Sequence, residues 1–387
     1  MGEPCATSVL GVQRIRRLTA FIAGVYHERQ LIIAVERMDN LLRRGSLPRL
    51  SVILVVEGSP SYAMRALESV QNQDLYDMQI VVACRNAAPG VRHSLDVAAG
   101  RDIHIDLIDV DDSSSGACLR EGFAASRGAH IIAMSADDWF APHAFLAMLD
   151  VACETSANIV FPSVSLDRYD THRERHSRML DAQSIVLADD GDRALGLAKL
   201  VESGLVCQNS GVMYERSLFE LCLQHAESYR AIAFLAPALS HAERVFGCAE
   251  ACFHTAAPSV ADSFDPTMFS RLSDDAKALE ELCVPFDAID DDNHLKLACQ
   301  RFYYGRLVAC IENLCLSPHG GVSSIERTAR LRDMLNDVRT RQMAVALQGE
   351  RRGLGLLFGP IANVKPMRCV MYAHLAAFLN RTGARIA

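Results

Sequence analysis

The sequence has no long apolar run, no CxxC pair and no excess of basic residues, and each absence excludes a class of protein. No stretch approaches the ~18 consecutive apolar residues of a membrane-spanning helix. The formal net charge of -8 argues against nucleic acid as a partner, because phosphate binding needs a basic face. After the first predicted strand, the turn Glu57-Gly58-Ser59-Pro60 lacks the GxGxxG pattern of dinucleotide-binding enzymes. The sequence therefore indicates a globular protein that binds a ligand other than nucleic acid or a dinucleotide.

The cysteine usage predicts a reducing compartment. Thirteen cysteines are scattered through apolar segments, which favours reduced core thiols in a cytoplasmic protein over a disulfide framework. Cys248, Cys252 and His254 are close enough in sequence to suggest a metal site. No second pair of ligands accompanies them, so we interpret them as residues of a buried strand.

Hydrophobic periodicity divides the chain into three predicted regions. Within residues 1–47, apolar side chains recur three, four or seven apart, which predicts an N-terminal amphipathic helical arm. Residues 48–260 begin with short β-branched runs that alternate with amphipathic stretches as far as Val164. This alternation predicts an α/β fold with a mostly parallel, doubly wound sheet. Residues 261–387 have a helical pattern and form a predicted C-terminal α-helical region.

Two segments differ from the rest in charge. Residues 167–181 are dense in charges of both signs and predict a solvated loop or helix face. The tail at 351–387 has no Asp or Glu, which predicts peripheral contact with an anionic membrane on its inner, cytoplasmic face. Packing of this tail on the protein's own acidic surface is an equal alternative. The cations of the tail are Arg351, Arg352, Lys365, Arg368, Arg381 and Arg385.

The most informative stretch is an apolar run that ends in two adjacent carboxylates. Ile131 to Met134 predict a buried strand, and Asp137, Asp138 and Trp139 follow it. An open α/β sheet presents ligands for a divalent metal and a diphosphate at the carboxyl ends of its strands. The same pair of acids is also typical of a helix N-cap and first turn.

Several ordered motifs resemble family 2 glycosyltransferases of the GT-A fold. They are LSVILVV at 50–56, ALESVQNQ at 66–73, QIVV at 79–82, GFAASRGAHII at 122–132 and SADDWFAP at 135–142. The resemblance implies a Rossmann-like, doubly wound domain. It also implies a glycosyltransferase that moves a sugar from a nucleotide-sugar donor to a saccharide or lipid-linked acceptor, in cell-surface polysaccharide biosynthesis.

The resemblance also assigns residues to a donor site. Asp137 matches the last Asp of the family's metal-binding DxD motif, which implies that it holds Mg²⁺ or Mn²⁺ beside the departing nucleoside diphosphate. Asp138 supports Asp137 or caps the next helix. Arg85 and Asn86 are candidates for contact with the diphosphate or base, since an Arg fork suits phosphate oxygens. Glu57, at the end of the first strand, completes the set.

Three positions depart from the family's pattern. Residues 83–87 read ACRNA where the family has DDGS, and Ser135 replaces the first Asp of DxD. Residues 229–234 contain no acid where the family has the ED pair that supplies the base, which leaves Glu227 and Glu243 as candidates. Loss of a general base typically costs ~10² to 10⁴ in rate. Two hypotheses therefore stay open: an active glycosyltransferase, and a catalytically degenerate binding or scaffold module.

Overall fold

The computed structural model describes residues 47–58, 60, 62–114, 116–169, 175–188, 190–229, 231–256, 264–286, 293–317 and 322–381. The chain divides into two compact units, Met1–Arg49 and Leu50–Ala387. The predicted helical arm at 1–47 lies outside the described residues, apart from Leu47. The fold described below is that of the second unit.

The first half of this unit alternates strands and helices, as the sequence predicts. The elements in chain order are β1 (Leu50–Glu57), α1 (Ala63–Gln71), β2 (Met78–Arg85), α2 (Pro89–Arg101), β3 (Ile105–Asp109), α3 (Ala117–Ala125) and β4 (His130–Ser135). The strands pair in parallel in the order β3-β2-β1-β4. β1, β2 and β4 are buried on both faces, which explains their continuous apolar runs, whereas the edge strand β3 is mostly half-buried.

The second half extends the same sheet with strands of both directions. In chain order it contains β5 (Trp139–Phe140), α4 (Ala144–Thr155), β6 (Ile159–Tyr169), β7 (Arg175–Leu180), β8 (Val186–Leu187), α5 (Asp190–Ser203), β9 (Met213–Glu215), α6 (Arg216–Cys222), α7 (Ile232–His241) and β10 (Val245–Ala256). The sheet continues from β4 as β9-β6-β10-β5, with β7 on β6 and β8 on β10. Only β6 and β10 pair in parallel here. The prediction of a mostly parallel sheet with flanking helices is confirmed.

The charged segment at 167–181 differs from its prediction. The residues on both sides of 170–174 form the strands β6 and β7, not a loop or a helix face. The two strands pair antiparallel, from Val164 opposite Leu180 to Tyr169 opposite Arg175. Most of β7 is exposed. Charged side chains are common on such an outer strand because they discourage pairing with another chain.

The C-terminal region is helical, as predicted. Its helices are α8 (Met268–Cys283), α9 (His294–Leu316), α10 (Ser324–Asn336), α11 (Val338–Ala346), α12 (Phe358–Ala362) and α13 (Pro366–Arg381). They enclose a second core that includes Leu307, Ile311, Leu331 and Phe358. Ser323 caps α10 by accepting a hydrogen bond from the backbone N–H of Glu326. Among the described residues, none of the helices combines the length and hydrophobicity that crossing a bilayer requires.

Candidate functional site

The parallel strands β1, β2 and β4 bring three candidate residues to one edge of the sheet. Glu57 lies opposite Arg85 in the register of β1 and β2. On the other side of β1, Val55 pairs with Ser135, and the N–H of Ala136 donates to the carbonyl of Val55 at 3.0 Å. Asp137 follows directly, so it emerges at the same edge as Glu57.

This edge is also the point where the strand order reverses. From β1 the chain runs to β2 and β3 on one side and returns to β4 on the other. Open α/β sheets bind ligands in the crevice outside the carboxyl ends of strands at such a switch point. The candidate site is therefore the crevice between the carboxyl ends of β1 and β4, which we call the β1–β4 crevice.

Asp137 and Asp138 have different environments. Asp137 is exposed, whereas Asp138 is only 4% exposed. The Oδ2 atom of Asp138 accepts hydrogen bonds from Ser210 Oγ at 2.8 Å and from the N–H of Ser135 at 3.3 Å. Asp138 thus ties the end of β4 to the residues before β9, and Asp137 is the carboxylate that solvent can reach.

The alternative interpretation of the two acids as a helix cap is wrong. The helix that follows them, α4, has His143 as its N-cap residue, and no side chain hydrogen-bonds that end. His143 has a left-handed φ of 64°. Asp137 and Asp138 precede β5, which separates them from α4.

Arg85 is held by groups of its own domain. Its Nη2 atom lies 2.8 Å from Glu57 Oε1, and its Nη1 atom donates to the carbonyls of Ser113 and Ser114 at 2.8 Å each. The guanidinium therefore joins β1 to the loop before α3. Asn86 follows with a left-handed φ of 51°. The structure brings Glu57, Arg85 and Asn86 to the same sheet edge as Asp137.

The two candidates for the base lie in different places. Glu227 is 67% exposed at its side chain, with Oε1 3.8 Å from Arg120 Nη1. Glu243 lies in the turn before Val245, the first residue of β10. Since β10 runs in the same direction as β4, this turn is at the edge of the sheet opposite the crevice. The structure does not bring Glu243 to Asp137.

The segment before α7, which the resemblance aligns with the family's ED pair, is fixed by other side chains. Asn209 Nδ2 donates to the carbonyls of Tyr229 and Ala231 at 2.8 Å each. The N–H of Ile232 donates to Asp275 Oδ1 at 3.0 Å. Burial raises the pKa of Asp275. Sequence reasoning missed Asp275 because it lies on α8, far along the chain, and nothing in its local pattern marks it.

A stack of side chains next to the crevice was also missed. Trp139 lies parallel to His254, with ring centroids 4.9 Å apart and an angle of 2° between the planes. The guanidinium carbon of Arg65 is 3.6 Å from the centroid of the Trp139 ring and 4.3 Å from that of Tyr62. We call Tyr62, Arg65, Trp139 and His254 the aromatic–arginine stack. These residues come from three distant parts of the chain, so no local motif could reveal them.

Asp167 anchors this stack at the end of β6. Its side chain is fully buried. Oδ1 accepts from Ser165, Ser177 and Arg175 at 2.8, 2.6 and 2.8 Å, and Oδ2 lies 3.1 Å from His254 Nδ1. Burial opposes ionisation of Asp167, but the hydrogen bonds outweigh it and lower its pKa. Burial lowers the pKa of His254 despite the neighbouring carboxylate, which favours the neutral ring.

Comparison with known proteins identifies the region that contains the crevice. Residues 51–222 match the sequence profile of glycosyl transferase family 2. This part of the chain is therefore similar to family 2 glycosyltransferases. It is 22% identical over 173 residues to EpsH of Bacillus subtilis (strain 168), a protein assigned to the glycosyltransferases. That match covers 45% of this chain and 48% of EpsH, so the chain spans about half the length of this relative.

Solved structures with the same fold include TarS of S. aureus. Residues 1–349 of TarS in complex with UDP-GlcNAc superpose with a TM-score of 0.53 at 13% identity, covering 88% of this chain and 93% of that one. The complex with UDP gives a TM-score of 0.55 at 12% identity, with coverages of 87% and 92%. A longer TarS structure gives a TM-score of 0.51 at 12% identity, and the match covers 83% of this chain but only 54% of that one. At these identities the likeness confirms the GT-A fold.

The oxygen ligands at the β1–β4 crevice suit a cation that is held largely by a bound phosphate compound. Within the described ranges, no group of three or more His, Cys, Asp or Glu side chains is arranged to hold a metal ion. Asp137 is an exposed carboxylate at the crevice, and Ser135 stands where a second would be expected. Mg²⁺ commonly uses one or two carboxylates together with substrate phosphates and water. Asp137 fits that role.

Proposed function

We propose that this protein is a glycosyltransferase that moves a sugar from a nucleoside diphosphate sugar to a saccharide or lipid-linked acceptor in cell-surface polysaccharide biosynthesis. The observation that carries the proposal is the exposed Asp137 at the β1–β4 crevice, inside the region that matches the family. Crevices of this kind are where α/β sheets hold nucleotides. TarS, which has the same fold, is described in complex with UDP-GlcNAc.

Each residue of the crevice would have a separate role in donor binding. Asp137 would hold Mg²⁺ or Mn²⁺, which when bound neutralises charge on the diphosphate that leaves. Asp138 keeps Asp137 in place through its bonds to Ser135 and Ser210. Arg85 keeps Glu57 and the loop before α3 in position, and the left-handed Asn86 turns the chain away from β2. These residues would line the donor pocket.

We assign the proton-accepting role to Glu227 rather than Glu243. Glu227 precedes Tyr229 and Ala231, which contact the Asn209–Ser210 segment that also holds Asp138. Its exposed side chain leaves room for an acceptor hydroxyl, whose proton a carboxylate can take. Glu243 lies at the opposite edge of the sheet and has no part in the proposal.

Release of nucleoside diphosphate from a panel of nucleotide sugars, with and without Mn²⁺, tests the proposal. We expect Asp137→Ala to abolish turnover and Glu227→Gln to lower it about a hundredfold or more. Asp150→Ala is the matched control, because Asp150 is an exposed acid on α4. Turnover by Asp137→Ala that equals that of the parent protein would rule out the assigned role.

A second candidate function is a catalytically degenerate module that binds a sugar, a nucleotide or a partner enzyme. It is supported by the side chains at Tyr229 and Ala231, where the family has acids, and by the internal ion pair of Arg85. The same panel separates the two functions. Nucleotide-sugar binding without any release of nucleoside diphosphate would favour the binding module.

We also propose peripheral contact with an anionic membrane through residues 351–387, which would place the protein at the cytoplasmic face. The outer side of α13 carries the exposed apolar residues Met367, Met371, Leu375 and Phe378. Spacings of four, four and three residues place them on one face of the helix. Lys365 and Arg368 are exposed beside them, and the segment has no acid. An apolar face bordered by cations suits an anionic bilayer surface.

Sedimentation with phosphatidylglycerol vesicles tests this contact. We expect Met371→Ser combined with Phe378→Ser to reduce binding. Ile325→Ser serves as the control, because Ile325 is an exposed apolar residue on α10 beside the acidic Glu326. Equal binding to phosphatidylcholine vesicles, or binding that the double substitution leaves unchanged, would contradict the proposal. A change in oligomeric state instead would assign the apolar face to a second copy of the chain.

A further inference from the structure

Arg65 carries a positive charge that no carboxylate neutralises among the described residues. Its neighbours are two aromatic rings, that of Tyr62, the residue before α1, and that of Trp139 in β5. The Nε atom is buried without a hydrogen-bond partner, whereas the terminal nitrogens are not buried. The two terminal nitrogens therefore make no hydrogen bond to the described residues and are open to solvent.

The stack holds this guanidinium in place. Trp139 is supported on His254, and His254 is held by the buried Asp167. Attraction between the cation and the ring faces keeps the guanidinium carbon over the Tyr62 and Trp139 rings. The planar N–H fork of an arginine matches two oxygens of a phosphate group.

The position of the fork relates it to the β1–β4 crevice. Arg65 lies in the first turn of α1, directly after the loop that leaves the carboxyl end of β1. Trp139 comes two residues after Asp137. The N-terminus of α1 has no side-chain cap, and its backbone N–H groups add positive potential at the same place. Arg65 is thus beside the crevice, whereas Arg85 is already bound to Glu57.

We propose that Arg65 binds the diphosphate of the donor, so that this site retains a diphosphate even without a divalent metal. The inference rests on the proposed function for the identity of the donor, but its binding test does not require turnover. The proposal also explains how the crevice could function with Ser135 at the position where the family has an acid. The fixed positive charge of Arg65 would hold the diphosphate where the metal site has lost a carboxylate.

Titration with inorganic pyrophosphate in the presence of EDTA tests this inference. Trp139 is the single tryptophan of the chain, so its emission reports directly on the stack, and calorimetry gives an independent affinity. We expect Arg65→Gln to weaken binding about tenfold or more, since bonds to charged groups are the stronger ones. Arg65→Lys keeps the charge but not the fork, and we expect an intermediate affinity.

Arg330→Gln is the matched control. Its guanidinium lies 5.3 Å from the ring of Phe264 in the helical region, and it pairs with Glu326. We expect pyrophosphate binding in EDTA to be unchanged in this variant. Sulfate at equal ionic strength checks that the effect is specific to a diphosphate.

Two results would overturn the inference: absence of pyrophosphate binding in EDTA by the parent protein, or equal affinity in Arg65→Gln and the parent. Either result, combined with Asp137-dependent release of nucleoside diphosphate, would leave the proposed function intact. Conversely, Arg65-dependent binding without release of nucleoside diphosphate from any donor would support the diphosphate site and reject the glycosyltransferase. Arg65→Lys also serves as the folding control, and we expect it to unfold at the same temperature as the parent protein.

Discussion

Removal of the Asp167 carboxylate should destabilise the domain in proportion to the hydrogen bonds that are lost. Asp167 accepts hydrogen bonds from Ser165, Ser177 and Arg175 at 2.6 to 2.8 Å, and its Oδ2 lies 3.1 Å from His254 Nδ1. A typical bond contributes about 1 kcal/mol, and a buried group left unpaired costs about 1–3 kcal/mol. Arg175 is partly exposed, so its share is discounted for solvent screening.

These terms give graded expectations for two substitutions. Asp167→Ala removes all four contacts and leaves the buried Ser165 hydroxyl unpaired, while His254 keeps its contact with Arg175. We therefore expect a loss of about 3–4 kcal/mol in the free energy of unfolding. Asp167→Asn keeps one acceptor oxygen, and its amide can donate to the ring of His254 in the other tautomer. We expect a loss of about 1–2 kcal/mol for this variant.

Urea unfolding at pH 7.5, followed by the emission of Trp139, measures both values. Trp139 lies directly on His254, so the signal and the perturbation are in the same cluster. Asp150→Ala is an exposed control for which we expect a change within about 0.5 kcal/mol. Equal losses for the Asn and Ala variants of Asp167, or an Ala variant as stable as the parent, would refute this account of the network.

Three further predictions concern residues around the site. Burial lowers the pKa of His254, so its neutral form stabilises the fold above pH 6.5 and this contribution is lost as the pH falls. We expect quenching of Trp139 emission with a midpoint below pH 6.5, and a midpoint above pH 6.5 would contradict the burial of the His254 ring. Asp275→Ala should cost about 1–3 kcal/mol in urea unfolding by leaving the N–H of Ile232 unpaired, and Asp275→Asn should cost less; equal costs would exclude the capping role. Gly211→Ala, at φ +82° with a new Cβ 2.6 Å from the Phe253 ring, should lower stability by about 1–3 kcal/mol, and an unchanged melting temperature would contradict that contact.

The sequence predicts the parallel part of the sheet well because β1, β2 and β4 are buried on both faces. Val52 to Val56 and Ile131 to Met134 are continuous apolar runs, and the helices between them have clear amphipathic patterns. The charged strand β7 was predicted as a loop or helix face, because its stability comes from pairing with β6 rather than from its own apolar residues.

The site is less predictable from sequence, since its partners are set by register and by packing across the chain. The pairing of Glu57 with Arg85 depends on the alignment of β1 and β2, which neither local motif contains. The contact of Arg65 with Trp139 depends on how α1 packs against β5. Asp137 was identified because its motif is local and ordered along the chain.

The most direct test of the central claim is the affinity for nucleoside diphosphate sugars, measured by calorimetry with and without Mn²⁺ for the parent protein, Asp137→Ala and Asp150→Ala. The account predicts that at least one donor binds the parent and the Asp150 variant in the micromolar range, and that Mn²⁺ strengthens this binding only where Asp137 is present. Binding that is identical in all three proteins, with the same response to Mn²⁺, would contradict a donor site at the β1–β4 crevice.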